Sequence, residues 1–396
     1  MISKLPIIGS PFGAGSILRG LASSASPHAT RKFSKGLMET LQAKQVFLVN
    51  SGAAAFFVIL ETLKASSTKR QVVLPAYTAG NLVTCIQKAG LVPVLCDISL
   101  TDFNSGREQL LSAVSPDTLA VVLVHMFGIG IHDIRQIKER LPPEVTLIED
   151  CAQAMGSQID HRPVGNFSEI SFFSFNRGKN FPLYEGGCIA TNRQAYAEDI
   201  DEKHRYLIKK CGMRQRIVTA AKICAFSFAT NPFVYGAGYP LIARYKDTAP
   251  AKDISLSFIT PLQAGLGIGL LKRFTRLCLK RYENGMFLIS ALQKNDGLML
   301  PQIHPQSRPV FNRLPLVCKD LAKKAEIEKR LWEAGIESSS LYQKPLHHIF
   351  NLGYRREDFP HARYFAEHLI TLPVHPQVKQ QDLLRMAHIF SCAEKR

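Results

Sequence analysis

"VFLVNSGAAAFFVILETLKA" (residues 46–65) sets a short apolar run of strand length against a longer helical one, with Ser51-Gly52 at the join. A serine just ahead of a helical run is a good N-cap, because its hydroxyl accepts one of the first free N–H groups. The same alternation recurs downstream. "QVVLP" (71–75) is followed by "GNLVTCIQKAG" (80–90) and "VPVLCDI" (92–98). "LAVVLVHMF" (119–127) leads into "IHDIRQIKERL" (131–141) and "VTLIED" (145–150). The strand-like runs are apolar at nearly every position, so both faces must be buried. That pattern belongs to repeated βαβ units around a mainly parallel sheet with helices on either side. "ISFFSF" (170–175) and "GCIATN" (187–192) read as two further strands flanking the turn-rich "NRGKNFPLYEG" (176–186), and the α/β region runs to about residue 200.

Four regions follow from this layout: an N-terminal arm (1–35), a large α/β domain (36–202), an insertion (203–255), and a long helix with a smaller α+β domain (256–396). The insertion begins as a basic helix from 203. It continues as "ICAFSFATNPFVYGAGYPLIA" (223–243), which carries no charge and is long enough for one membrane crossing. Asn231, Pro232, Gly236, Gly238 and Pro240 break it, so two short helices joined by a turn are expected, with peripheral contact to an anionic membrane through 203–250 as one use. "NRLPLVC" (312–318) and "KKAEIEKRLWEAG" (323–335) give the last region a strand and a helix.

The formal charge of +17 suits nucleic acid, an anionic membrane or phosphorylated substrates. The basic stretches 203–216 and 271–281 lack interleaved aromatics, and no DNA-reading motif occurs, so nucleic acid is not an expected partner. Nine cysteines with no CxxC pair indicate neither a disulfide framework nor a zinc site, and no metal ligand is assigned. A reducing cytoplasm is the expected compartment, peripheral to the inner membrane face if the insertion touches lipid. The N-terminus, broken by Pro and Gly, does not read as a signal peptide.

Four pieces fall at the C-terminal ends of the strands, where open α/β sheets place ligands. The helix start at Gly52 and Ala53 offers N–H groups to a phosphate. Asp150 closes a buried strand and needs a cationic or hydrogen-bonding partner. Ser174 offers a hydroxyl, and Lys179 an amine in a loop. Each has an ordinary explanation: cap, salt bridge, surface lysine. Together they match what pyridoxal phosphate requires: a lysine for a covalent imine, an acid for its ring nitrogen, and a phosphate cup.

The order "SGAAA", "LPAYT", "VHMFG", "IEDCAQAMGS", "SFFSFNRGKN", "EGG" resembles the DegT/DnrJ/EryC1/StrS sugar aminotransferases, and "TPLQAGLGIGLLKR" and "AGIESSSLYQKPLHH" extend the likeness over roughly 35–390. The resemblance implies a fold-type I enzyme with a seven-stranded-type sheet. Its expected reaction moves an amino group from an amino acid, glutamate in the family, to a keto sugar, in a homodimer with shared sites. It makes Lys179 the cofactor-bearing lysine and proton carrier, and pairs Asp150 with the pyridine nitrogen. It sets Gln153 beside the phenolic oxygen, and has Ser174, Gly52 and Ala53 bind phosphate. His125 reads as structural. Three departures stand out. Ala53 replaces the family's phosphate-binding Thr. Ala79 replaces an aromatic that covers the ring, leaving Tyr77 as the candidate contact. "SLSFITPLQAG" (255–265) replaces an N-x-R-M segment that reaches into the neighbouring subunit. Two alternatives remain: a pyridoxamine-phosphate sugar dehydratase, which would carry His at the Lys179 position, and a low-turnover cofactor-binding scaffold or membrane-associated assembly protein.

Overall fold

A computed structural model of the chain describes residues 4–26, 28–243 and 253–394. Residues 244–252 of the 203–255 segment therefore lie outside the described residues. In chain order, α1 (Ala14–Ser24) and α2 (Ala29–Leu41) precede β1 (Gln45–Val49) and α3 (Gly52–Ala65). Then come β2 (Gln71–Pro75), α4 (Asn81–Lys88), β3 (Val92–Cys96), α5 (Arg107–Ser112), β4 (Thr118–Val124), α6 (Ile134–Arg140) and β5 (Thr146–Asp150). Two short strands, β6 (Gln158–Ile159) and β7 (Arg162–Pro163), lead to β8 (Ile170–Ser174) and β9 (Gly187–Thr191).

Seven strands form one sheet in the order β1-β9-β8-β5-β4-β2-β3. All pairs are parallel except the two made by β9, which runs antiparallel between β1 and β8. The sheet is mainly parallel, as the apolar strands require. Every residue of β4, β5, β8 and β9 is buried. The two-residue period of a strand divides these side chains between two cores. Val122, Ile148 and Phe172 join one core with α3 and α4, while Val121, Leu147 and Phe173 join the other with α2 and α6. α3, apolar almost all round, lies under the sheet with nine of its residues buried, so the helix start at Gly52 is held rigidly at the strand ends.

The rest of the chain is helical until the second lobe: α7 (Gln194–Leu207), α8 (Met213–Ala229), α9 (Pro232–Ala243), α10 (Pro261–Leu271) and α11 (Phe274–Leu292). The basic stretch from 203 is not one helix. α7 ends at Leu207, and α8 starts after Gly212, whose extended backbone caps it. The uncharged stretch does turn, at Thr230–Asn231, where α8 and α9 bend by 94°. No single helix among the described residues is long and apolar enough to cross a membrane, although this bent pair passes by length and composition together. The helices α2 and α7 run across residues 35/36 and 202/203, the boundaries drawn from the sequence.

The second lobe holds β10 (Leu298–Met299), β11 (Ser307–Arg308), β12 (Leu314–Cys318), α12 (Leu321–Glu333), α13 (Pro360–His368), β13 (Leu369–Leu372) and α14 (Gln380–Glu394). β10, β12 and β13 form an antiparallel sheet, whereas β11 returns to pair with β6 of the large lobe. The N-terminal arm ties down this lobe: Leu5 N–H donates to Gly335 O at 2.8 Å and Glu337 N–H to Leu5 O at 3.0 Å.

Candidate active site

At the C-terminal ends of β5 and β8 and the start of α3 lies a cavity of about 700 Å³. Gly52, Ala53, Asp150, Ser174 and Lys179 all line it. Ser51 caps α3 by accepting from Ala54 N–H at 3.0 Å, so its hydroxyl is committed. The N–H groups of Gly52 and Ala53 precede the first intrahelical bond and face the cavity with the positive end of the helix dipole. Glycine is needed at 52: an added Cβ would lie 2.9 Å from Ser174 Cβ. That close approach brings the Ser174 hydroxyl beside the helix start, and the pair forms a cup for an anion even without a hydroxyl at Ala53.

Lys179 is carried by a hairpin between β8 and β9. Phe175 N–H bonds Gly186 O, Leu183 N–H bonds Phe175 O, and Arg177 N–H bonds Tyr184 O. Phe175 and Phe181 anchor the hairpin in an aromatic cluster with Phe33 and Phe274. Gly178 turns the chain at φ +81°, with Ile8 packed where a Cβ would sit. Asn180 fixes the other side, donating to Gln153 O at 2.9 Å and Val310 O at 2.7 Å. Burial pulls the Lys179 amine down to about 8, against the attraction of Asp150 and helped by the like charge of Arg313. In cofactor-free protein, reductive methylation of Lys179 is therefore expected to titrate with a midpoint near pH 8 rather than above 10. Peptide mass mapping across pH reads this directly.

Asp150 accepts from Ala152 N–H through Oδ1 at 2.8 Å, and its other oxygen makes no hydrogen bond among the described residues. Burial raises its carboxyl, while Ala152 N–H, Lys179 and His125 work the other way. A carboxylate so placed is short of one cationic donor. His125 is fully buried and lies behind the site. Its Nδ1 accepts from Ile131 N–H at 3.1 Å, which leaves Nε2 protonated to donate to Glu149 at 3.1 Å. Glu149 accepts further bonds from the N–H groups of Gly165, Phe167 and Ser168 and from the Ser168 hydroxyl. Burial alone would raise this carboxyl, but these donors hold it below the usual carboxylate range. His125, Glu149 and Cys151 sit close enough to grip a metal ion. The lone pairs of His125 and Glu149 are instead spent on hydrogen bonds, and burial pushes the Cys151 thiol far up. The cluster braces β5 behind Asp150. It was legible as a glutamate in the middle of a buried strand.

Two expected cofactor contacts do not line the cavity. Tyr77 is in the core, its hydroxyl donating to Tyr342 O at 3.1 Å and its ring edge-on to Phe365. Gln153 is buried, with Oε1 accepting from Phe127 N–H at 3.3 Å and Nε2 donating to Met126 Sδ. The rings that do line the cavity are Phe172 of β8 and Tyr342, the latter held by Tyr77 and supplied by the "SSSLYQK" stretch of the second lobe. Gln215 and Lys222 of α8 also line it, with Lys222 paired to Glu185 at 3.0 Å. In the altered 255–265 segment, Ser257 O accepts from Asn50 N–H at 2.8 Å and Leu256 O from Lys209 N–H, so the segment packs on this chain's own cavity rim.

Comparison with known proteins agrees with this geometry. A profile of the DegT/DnrJ/EryC1/StrS aminotransferase family matches residues 19–391. The chain is 25% identical to the spore coat polysaccharide biosynthesis protein SpsC of Bacillus subtilis, covering 89% of this chain and 86% of that one. It is 28% identical to a dTDP-4-dehydro-2,6-dideoxy-D-glucose 3-dehydratase of Saccharopolyspora spinosa over 70% and 60% of the two chains. Its fold is similar to that of a putative sugar aminotransferase, Spr1654, from Streptococcus pneumoniae, with a TM-score of 0.79 at 20% identity over 99% and 98% of the chains. The protein belongs to the DegT/DnrJ/EryC1/StrS aminotransferase family of pyridoxal-phosphate-dependent enzymes.

Proposed function

We propose that the protein transfers an amino group from an amino acid, glutamate in the first instance, to the keto group of a sugar, acting in the cytoplasm as a homodimer. The observation that carries this reading is the meeting of Lys179, Asp150, Ser174 and the α3 N-terminus around one cavity. When bound, pyridoxal phosphate supplies an aldehyde for the amine and a protonated ring that accepts the electron pair left on the donor Cα. Ser174 and the N–H groups of Gly52 and Ala53 hold its phosphate, and the open oxygen of Asp150 holds the ring proton. Lys179, whose amine burial pulls down to about 8, would serve as the base that takes the donor's Cα proton and as the acid that returns it. Asn50, Asn176, Gln215 and Asp253 around the cavity provide the donors and acceptors that a hydroxylated acceptor needs.

Lysine at 179 disfavours the dehydratase reading despite the dehydratase among the relatives. The test is absorbance: loaded protein has a band near ~400–430 nm, glutamate bleaches it and 2-oxoglutarate appears. A band that ignores every amino acid leaves the scaffold reading instead.

Peripheral membrane contact through α8 and α9 forms part of the proposal. Met213, Ile217, Phe228 and Phe233 are each more than 60% exposed. No acidic residue lies between Glu202 and Asp247, whereas Lys209, Lys210, Arg214, Arg216 and Lys222 all do. Such a face repels its own copy and attracts anionic lipid. Loaded protein is expected to float with phosphatidylglycerol liposomes at low salt and to sink when Ile217 and Phe228 are both changed to Ser. Sedimentation of the parent away from the lipid would end the idea.

A further inference from the structure

The helix α8 belongs to two surfaces at once. Gln215, Val218, Thr219 and Lys222 line the cavity, at the three- and four-residue intervals that share one helix face. Met213, Ile217, Cys224 and Phe228 fall about half a turn away on the opposite face, and all four are exposed. Val218 lines the cavity and is still 42% exposed, so it stands at the mouth.

α8 also grips the hairpin that carries Lys179. Lys222 pairs with Glu185 at 3.0 Å, and the Phe226 ring meets Tyr184 edge-on at 5.7 Å. On the other rim Gln215 donates to the Ser257 hydroxyl at 2.7 Å. The far end of the helix is fixed as well. The hydroxyls of Ser227 and Ser10 share a hydrogen bond at 3.2 Å. Beyond the bend, Lys4 N–H donates to Pro232 O at 3.0 Å and the Tyr235 hydroxyl to Glu337 at 2.6 Å. The outward apolar face is thus held one helix diameter, ~10 Å, from the cavity.

Arg214 and Arg216 flank that outward face on its two sides. Both are exposed, and neither forms an ion pair among the described residues. With no acid anywhere in 203–246, the surface suits a bilayer carrying phosphate groups, which guanidinium groups bind well. A substrate dissolved in water would need no such surface beside the mouth.

We propose that the acceptor is a keto sugar joined through phosphate to a membrane lipid, and that it reaches the cavity from the bilayer surface along α8. The sugar enters past Val218, the phosphate stays level with Arg214 and Arg216, and the lipid tail stays in the membrane. The inference rests on the transaminase reading, whose substrate class it names. Over the whole reaction the sugar's carbonyl carbon exchanges its oxygen for an amino group and gains one hydrogen. The Cα of glutamate exchanges its amino group for oxygen and loses one hydrogen, and the phosphate link is untouched.

The test uses the full chain loaded with pyridoxal phosphate, glutamate labelled with heavy nitrogen, and cells whose own copy of the gene has been deleted. Their butanol extract, dispersed in phosphatidylglycerol vesicles, is compared with their aqueous extract, and mass spectrometry follows the label into the sugars of each. The label is expected in a butanol-soluble sugar that mild acid releases from its lipid. Changing both Ile217 and Phe228 to Ser, with the melting temperature showing that the variant folds, is expected to lower this transfer ~10-fold or more by removing the protein from the vesicle surface. Label confined to water-soluble sugars overturns the proposal, and so does a double variant that serves the vesicles at the parent's rate. Label in neither extract, while glutamate still bleaches the absorbance band, overturns it too. Glutamate that fails to bleach the band removes the transaminase reading itself.

Discussion

Lys179→Ala, loaded with pyridoxal phosphate and treated with borohydride, is expected to carry no adduct at residue 179 and to lose about 10²- to 10⁴-fold in kcat/KM. The variant should still bind the cofactor, because the Ser174 hydroxyl and the α3 N–H groups are untouched, but should release it on denaturation. Lys222 is the informative control. It lines the same cavity, yet its amine is paired with Glu185 at 3.0 Å and lies partly in solvent. Lys179 is half-buried and its amine is pulled down to about 8. Only Lys179 combines burial with proximity to Asp150. An adduct on Lys222 at undiminished turnover would transfer the chemistry to α8 and defeat the assignment.

Asp150→Asn should cost about 10²- to 10⁴-fold in turnover with little change in fold. The amide keeps an oxygen for Ala152 N–H but offers no negative charge to hold a proton on the cofactor ring. The sign of the pH effect follows from burial. The Asp150 carboxyl is raised in the empty cavity, and a cationic ring opposite it would lower it again. Cofactor affinity should therefore be full where the carboxyl is ionised and fall as pH drops through its raised pKa. The same titration should be flat in Asp150→Asn. Fluorescence titration with the cofactor at a series of pH values checks both curves. A parent whose affinity ignores pH on the acid side would break the pairing.

Much of the large lobe could be read in advance, because its determinants are local. β2, β4 and β5 are runs of branched apolar residues; β2 and β5 coincide with their strands to within a residue, whereas the run 119–127 overshoots β4, which ends at Val124 before a 3-10 turn at Met126–Gly128. Lys179, Asp150, Ser174 and Gly52 were recognisable since each ends or follows such a strand. What was hidden depends on distant chain. Tyr77 looked like a cofactor contact from its position after β2. Whether its ring faces the cavity or the core is decided by Phe365 and Tyr342, nearly three hundred residues away. The break between α7 and α8 was missed because helical, basic residues continue across it, and only Gly212 marks the change of direction.

The antiparallel β9 has a consequence for how the chain emerges from the ribosome. Among the described residues β1 pairs only with β9, and Ser51, at the head of α3, bridges to Gly186. Residues 45–52 must therefore wait for residues 186–191, a delay of roughly ten seconds at ordinary translation speeds. During that interval an apolar edge strand stays unpaired on the nascent protein, a period of chaperone dependence built into the topology. A truncation ending before residue 186 would lack β9 and leave β1 without the strand it pairs with.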